Sequence, residues 1–169
     1  MSGDGWLEPN DVEVIVVHCS ATKPGQNFNV DDIRKWHTDP APTGNGWSDI
    51  GYNYVVTRVG DVEEGRPLNR TGGHAYRWND RSVSICLIGG INVDGKADDN
   101  FTNDQMMALA DLIAGLQSIF PKAALCGHRD LDSTHSKLKE CPSFDVRKWW
   151  LNFSLNLIEV TDDKSKGGI

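Results

Sequence analysis

Five histidines and four cysteines are the side chains of this 169-residue chain best suited to metal binding or catalysis. Two of the histidines close apolar runs: His18 ends VEVIVVH and His128 ends AALCGH. Side chains at strand ends are fixed by the sheet yet can project into a cleft. Cys141 follows in a loop, and Pro142 restricts it to extended backbone conformations. Two imidazoles and one thiolate fill three corners of tetrahedral zinc and leave the fourth for water, whereas a structural zinc is closed by four protein ligands. Two positive charges less one thiolate still make a Lewis acid. Spacing alone does not single this set out. No HExxH or CxxC fixes it, the three residues lie far apart in the chain, and a strand-end histidine is more commonly a hydrogen-bonded structural residue.

The elements that must position these residues read as an α/β domain. Val12 to His18, nearly continuous in apolar residues from Val14 onward, reads as a strand covered on both faces. Tyr52 to Val59, Val62 to Gly65, Val83 to Ile88 and Ala123 to His128 read as further strands. Asn29 is placed to cap a helix over Val30 to His37. Thr102 opens a capping box with Gln105 ahead of an apolar stripe from Met106 to Phe120, which Pro121 ends. Ser143 or Asp145 caps a last helix through Trp149 and Trp150, and the charged, Gly-rich stretch from Thr161 is expected to fray. The expected fold is a single domain with a mixed central sheet flanked by helices on both faces. Residues 1–11 read as an N-terminal extension, 12–158 as the catalytic domain and 159–169 as a flexible tail.

Composition removes several classes. Seventeen basic against 24 acidic residues give a net charge of -7, which lacks the footprint of a general nucleic-acid or anionic-membrane binder. No apolar run reaches the ~18 to 20 residues needed to cross a bilayer. The first ten residues hold two acids, no base and no apolar core, unlike a signal peptide. Four cysteines are too sparse for a disulfide-dense secreted scaffold, so they read as reduced thiols.

Four segments carry a resemblance: His18 to Pro24 (HCSATKP), Gly46-Trp47 to Gly51-Tyr52, Ile85 to Ile91 (ICLIGGI) and Cys141 to Trp150 (CPSFDVRKWW). In this order and spacing they resemble zinc-dependent N-acetylmuramoyl-L-alanine amidases, above all the lysozyme-amidases of T-odd coliphages, relatives of the peptidoglycan-recognition proteins. The resemblance implies one catalytic Zn2+ on His18, His128 and Cys141, and hydrolysis by zinc-activated water of the amide joining N-acetylmuramic acid to L-alanine. It further implies that Lys139 stabilises the oxyanion, that Tyr52 orients the water or donates to the intermediate, and that His74, in Gly73-His74-Ala75, lines the substrate groove. The chain departs from the family in a longer Pro40 to Gly46 loop and in an extended RDLDSTHSKLKE loop before Cys141. There Lys137 competes with Lys139, and His135 or Asp132 becomes a substitute ligand.

The other candidates have plainer readings. Cys19 should face away from His18 into the core. Cys86 reads as packing, and Cys126 as packing with a supporting role beside His128 as the alternative. His37, at a helix end, reads as a favourable C-terminal charge or a packing residue. The Asp94 to Asp99 loop lacks the register of a calcium loop and reads as a solvated turn. Trp149 and Trp150 are candidates to bind sugar rings, with one of them expected in the core.

The implied partners are peptidoglycan and its muropeptides, with the protein a monomer. The competing readings are a peptidoglycan-binding module, which the retained Cys141 disfavours, and a regulator that restrains a phage RNA polymerase. The expected location is the host cytoplasm until release to the periplasm.

Overall fold

In the computed structural model, which describes residues 5–131 and 139–166, the parallel strand pair at the centre of the sheet determines where everything else goes. β1 (Val14–Cys19) is buried along its whole length, as its apolar run requires. It lies between β4 (Ser82–Leu87) and β5 (Ala124–Gly127), parallel to both. β2 (Tyr54–Val56) runs parallel to β4 on its other side, and β3 (Val62–Glu64) closes that edge antiparallel to β2. The resulting mixed sheet has the order β3-β2-β4-β1-β5.

Strand alternation sorts side chains between two unequal layers. Ile15 and Val17 of β1, with Val83, Ile85 and Leu87 of β4, face the main core beneath α2 (Asn103–Ile119) and α3 (Val146–Lys166). Leu109, Ile113 and Leu116 of α2 seal that layer, and Trp149 and Trp150 of α3 both pack against it half-buried. The opposite face carries α1 (Val30–Thr38), whose Ile33 packs with Val55, Cys86 and Ile88 in a smaller cluster. Val14, Val16 and Cys126 lie in a third cluster, so Cys126 is a packing residue.

The helix starts follow their capping chemistry. Asn29 accepts from the backbone N–H groups of Asp31 and Asp32, and the Asp32 carboxylate accepts from the N–H of Asn29. Thr102 and Gln105 form the reciprocal box at the start of α2. Of the two caps expected for α3, Asp145 takes the role, its carboxylate accepting from the N–H of Lys148. α3 then runs to Lys166, past the Thr161 at which the sequence reading stops the ordered chain. β2 is shorter than the expected Tyr52 to Val59. The chain already turns at Thr57, whose N–H donates to the Asp61 carbonyl, and Asn53 is held sideways by Ser84 and by the Arg66 carbonyl.

Two polar contacts tie the helices to the sheet ends. Gln105 is fully buried, and its amide donates to the carbonyls of Val56 and Ile88 while its oxygen accepts from Arg58 and from the Thr102 N–H. His37, in the last turn of α1, accepts through Nδ1 from the N–H of Gly51 at 3.0 Å and packs on Trp47 and Tyr52. Burial, then the charge of Arg66, pushes its pKa down to about 4. His37 is therefore a neutral acceptor, which rules out the C-terminal charge role and leaves the packing role.

Gln105→Leu should cost ~1–3 kcal/mol, because it removes the buried amide's bonds to the Val56 and Ile88 carbonyls, to Arg58 and to the Thr102 N–H; an unchanged urea midpoint would contradict this account of the α2 start. For His37 the folded pKa lies below the unfolded value of ~6.5, so the unfolded chain binds the extra proton between the two. Its contribution is present above ~6.5 and lost as pH falls towards about 4. With a chelator present, the urea midpoint should fall across that window. His37→Asn, which keeps an acceptor for Gly51, should make the fall shallower, and an equal slope would refute the assignment.

Candidate metal centre

His18 is the fifth of the six residues of β1 and pairs in register with Cys86 of β4. Its parity with Val14 and Val16 turns it to the α1 face. β5 pairs Val17 with Gly127, so His128, the next residue, comes beside His18 on the adjacent strand end, with ring centroids 4.4 Å apart. His128 opens a 3-10 turn that Asp130 caps by accepting from the N–H of Gly127. The Cys141 loop is drawn onto this turn, because the N–H of Arg129 donates to the Cys141 carbonyl at 2.8 Å. Only glycine fits at 127, where a Cβ would lie 2.7 Å from Pro142 Cδ and 3.3 Å from Val146 Cγ2. Ser143, donating to the Gly90 carbonyl at 2.6 Å, anchors the far side of the loop.

The convergence brings one ligand atom each from His18, His128 and Cys141 within 4.8 Å of one another, and all three residues are buried. Cys141 Sγ lies 3.9 Å from Nδ1 of His18. His128 Nε2 is buried and has no hydrogen-bond partner among the described residues. An unpaired buried nitrogen costs free energy unless something occupies its lone pair, and a cation does so. Burial, then the nearby His74 and His128, holds His18 well below the ordinary histidine range, and burial lowers His128. Both imidazoles are thus neutral, as ligation requires. The Cys19 thiol beside it, then burial, holds the Cys141 thiol well above its usual range, so its ligation needs a cation strong enough to displace the proton. The donor set fits a soft, N- and S-preferring ion such as zinc.

Tyr52 lies with its ring 5.1 Å from that of His18. Burial, then the thiols of Cys86, Cys141 and Cys19, holds its phenol well above the usual value, so it stays a neutral donor. His74 borders a cleft of about 900 Å³ lined by Trp47, Arg66, Thr71, Tyr76 and Arg77, as expected of a groove residue. It also touches a ligand, with Nδ1 2.9 Å from Nε2 of His18. Lys139 is exposed in the turn two residues before Cys141. Asp132, His135 and Lys137, the alternatives to Lys139 and to the ligand set, lie outside the described residues.

Three features of the site were not read from the sequence. Cys19 does not simply turn into the core. Although parity sends it away from His18, the Cys141 loop crosses the strand end, so Cys19 Sγ sits 3.9 Å from Cys141 Sγ and its N–H donates to that sulfur at 3.4 Å. Ser82, across the sheet, reaches His74 Nε2 at 3.1 Å. Asn79 accepts from the N–H groups of both His74 and Ala75, which shapes the loop that presents the imidazole. The adjacency of Cys19 to His18 at a strand end was the one available signal. Cys86, buried in β4, is a packing residue as expected. The Asp94 to Asp99 loop is a turn organised by Asn92, whose side chain accepts from the N–H groups of Asp94 and Lys96.

Comparison with known proteins identifies the family. The profile of the N-acetylmuramoyl-L-alanine amidase family matches residues 8–144. The endolysin of Enterobacteria phage T3 is 44% identical over 152 residues, covering 90% of this chain and 91% of that protein. Among solved structures, the N-acetylmuramoyl-L-alanine amidase LysC from Clostridium intestinale superposes with a TM-score of 0.66 at 26% identity, over 89% of this chain and 92% of that one. The complex of tracheal cytotoxin with the ectodomains of peptidoglycan recognition proteins LCa and LCx matches with a TM-score of 0.59 at 25% identity, over 83% of this chain and 86% of that one. Family profile, relatives and fold agree, and the chain belongs to the N-acetylmuramoyl-L-alanine amidase family of peptidoglycan hydrolases.

Proposed function

We propose that the chain is a zinc-dependent endolysin that cleaves the amide between N-acetylmuramic acid and L-alanine, with one Zn2+ held by His18, His128 and Cys141. The convergence of three buried ligand atoms within 4.8 Å, at a His128 whose buried Nε2 has no hydrogen-bond partner among the described residues, is the observation that supports this reading. Bound there, zinc supplies Lewis acidity, polarising the amide carbonyl and bringing the pKa of water towards ~7. The chain's own residues do the rest. The substrate enters by the cleft that His74 borders, which places the scissile amide between that cleft and the three ligands. Tyr52, kept neutral by burial, donates a hydrogen bond to the attacking water or to the oxygen on which charge develops. Lys139, from the exposed turn before Cys141, brings a positive charge to that oxygen.

The protein acts as a monomer on muropeptides, made in the host cytoplasm and reaching the wall once another protein opens the inner membrane. No helix among the described residues is long and apolar enough to cross a membrane. A phage RNA polymerase is the alternative partner, which a pull-down with the cognate enzyme would reveal.

Digestion of purified peptidoglycan should release free stem peptides beginning at L-alanine, and a chelator should abolish their release. Cut glycan strands with intact stems would instead assign a glycosidase. Cys141→Ser should lose zinc and activity while its circular dichroism stays that of the native fold; full activity would remove Cys141 from the ligand set. Lys139→Ala should slow hydrolysis by ~10²- to 10³-fold with zinc still bound. An unchanged rate would hand the role to Lys137.

A further inference from the structure

We propose that His74 and Ser82 are positioning residues of the metal centre, which fix the ring nitrogen that His18 presents to the ion. The proposal rests on the metal reading above and gives His74 a role beyond bordering the groove. Three contacts run in series from the sheet to the ligand: the Trp78 carbonyl to Ser82 Oγ at 2.5 Å, Ser82 Oγ to His74 Nε2 at 3.1 Å, and His74 Nδ1 to His18 Nε2 at 2.9 Å.

Donor counting sets the direction of every link. A carbonyl only accepts, so the single hydrogen of Ser82 goes to Trp78. The Ser82 oxygen must then accept from His74, which places the proton of the neutral His74 ring on Nε2. That leaves His74 Nδ1 as an acceptor, and the hydrogen between the two rings belongs to Nε2 of His18. His18 Nδ1 is therefore unprotonated, and it is this nitrogen that lies 3.9 Å from Cys141 Sγ. The lone pair of His18 is aimed at the cluster by a backbone carbonyl several residues removed from it.

The surroundings hold the relay in place. Ser82 is buried in β4, next to β1. Gly72 leaves room for the His74 ring, where a Cβ would lie 2.6 Å from Cδ2. Asn79 clamps the backbone of His74 and Ala75. The two imidazoles meet edge to face, at 86°. The relay ends on a carbonyl, which cannot pass a proton on, so it orients a ligand and is no proton wire. Partners of this kind contribute about 10- to 100-fold to metal affinity.

Two measurements on the full chain test the proposal. In the metal-free protein at neutral pH, 15N imidazole spectra should show the His18 proton on Nε2; a proton on Nδ1 would overturn the assignment without any substitution. Zinc affinity, read by competition with a chromophoric chelator, should weaken about 10- to 100-fold in Ser82→Ala and in His74→Leu. His74→Asn, whose Oδ1 restores an acceptor in place of Nδ1, should recover much of that loss. Unchanged zinc affinity in Ser82→Ala and His74→Leu, with KM alone raised in His74→Leu, would make His74 a groove wall and defeat the proposal. A wild-type chain that binds no zinc at all would fail the metal reading itself.

Discussion

The structure is organised around a deliberate shortage of hydrogen bonds at one point. A buried polar nitrogen without a partner costs on the order of 1–3 kcal/mol, and among the described residues His128 Nε2 is such a group. Burial, then His74 and His128, raises the cost of protonating His18, and burial, His128 and Arg66 do the same for His74, so filling the site with protons is also disfavoured. Every nearby element keeps the three donors together and dry. Gly127 admits the Cys141–Pro142 loop, Arg129 and Ser143 fasten it, and β1 supplies His18 from a strand buried along its whole length. The divalent ion proposed above would resolve all of these tensions together.

The sheet topology explains why the shortage can sit at the surface of a cleft without unravelling the core. From β1 the chain crosses to β2 by way of α1, and it later returns through α2 to β5 on the opposite side of β1. Neighbouring connections thus diverge at the carboxyl end of β1, which is where open α/β sheets bind ligands. The main core lies wholly on the α2 and α3 face. The α1 face holds only small clusters, so a groove on that side removes little apolar burial. His18 belongs to this thinner face by strand parity.

What could be read from the residues follows from how local each signal is. The apolar run into His18, the Thr102 box and the Asn29 cap are decided within a few residues, and the structure keeps them. The cluster of His18, His128 and Cys141 spans 123 residues, so spacing could not bring it out, and resemblance alone pointed to it. The Cys19 reading was correct about the strand and missed the loop that crosses its end, because parity describes a sheet and says nothing of what caps it. The partnership of Ser82 with His74 has no periodicity at all. It arises because Trp78 and Ser82 bracket a turn whose carbonyl points back at the serine. His37 looked like a helix-end charge until Gly51 supplied the N–H that requires a neutral ring.

One buried cation links the fold to the protonation state of the site. Arg66 is nearly inaccessible, and its guanidinium is spent on the carbonyls of Ile50, Thr71 and Asp49 at the base of the cleft. Those carbonyls belong to the segments that carry Tyr52 and His74, and Gly51 in the first of them donates to His37, so the arginine sets the shape of the cleft floor. Its charge also acts through a poorly screened interior, where opposing a second positive charge is strongest. It adds to burial in lowering His37 to about 4, and to burial and His128 in lowering His74 to about 3. One side chain therefore braces the loops and keeps the surrounding imidazoles uncharged. A carboxylate in its place could do neither, since it has no hydrogen to give those carbonyls and would favour imidazolium.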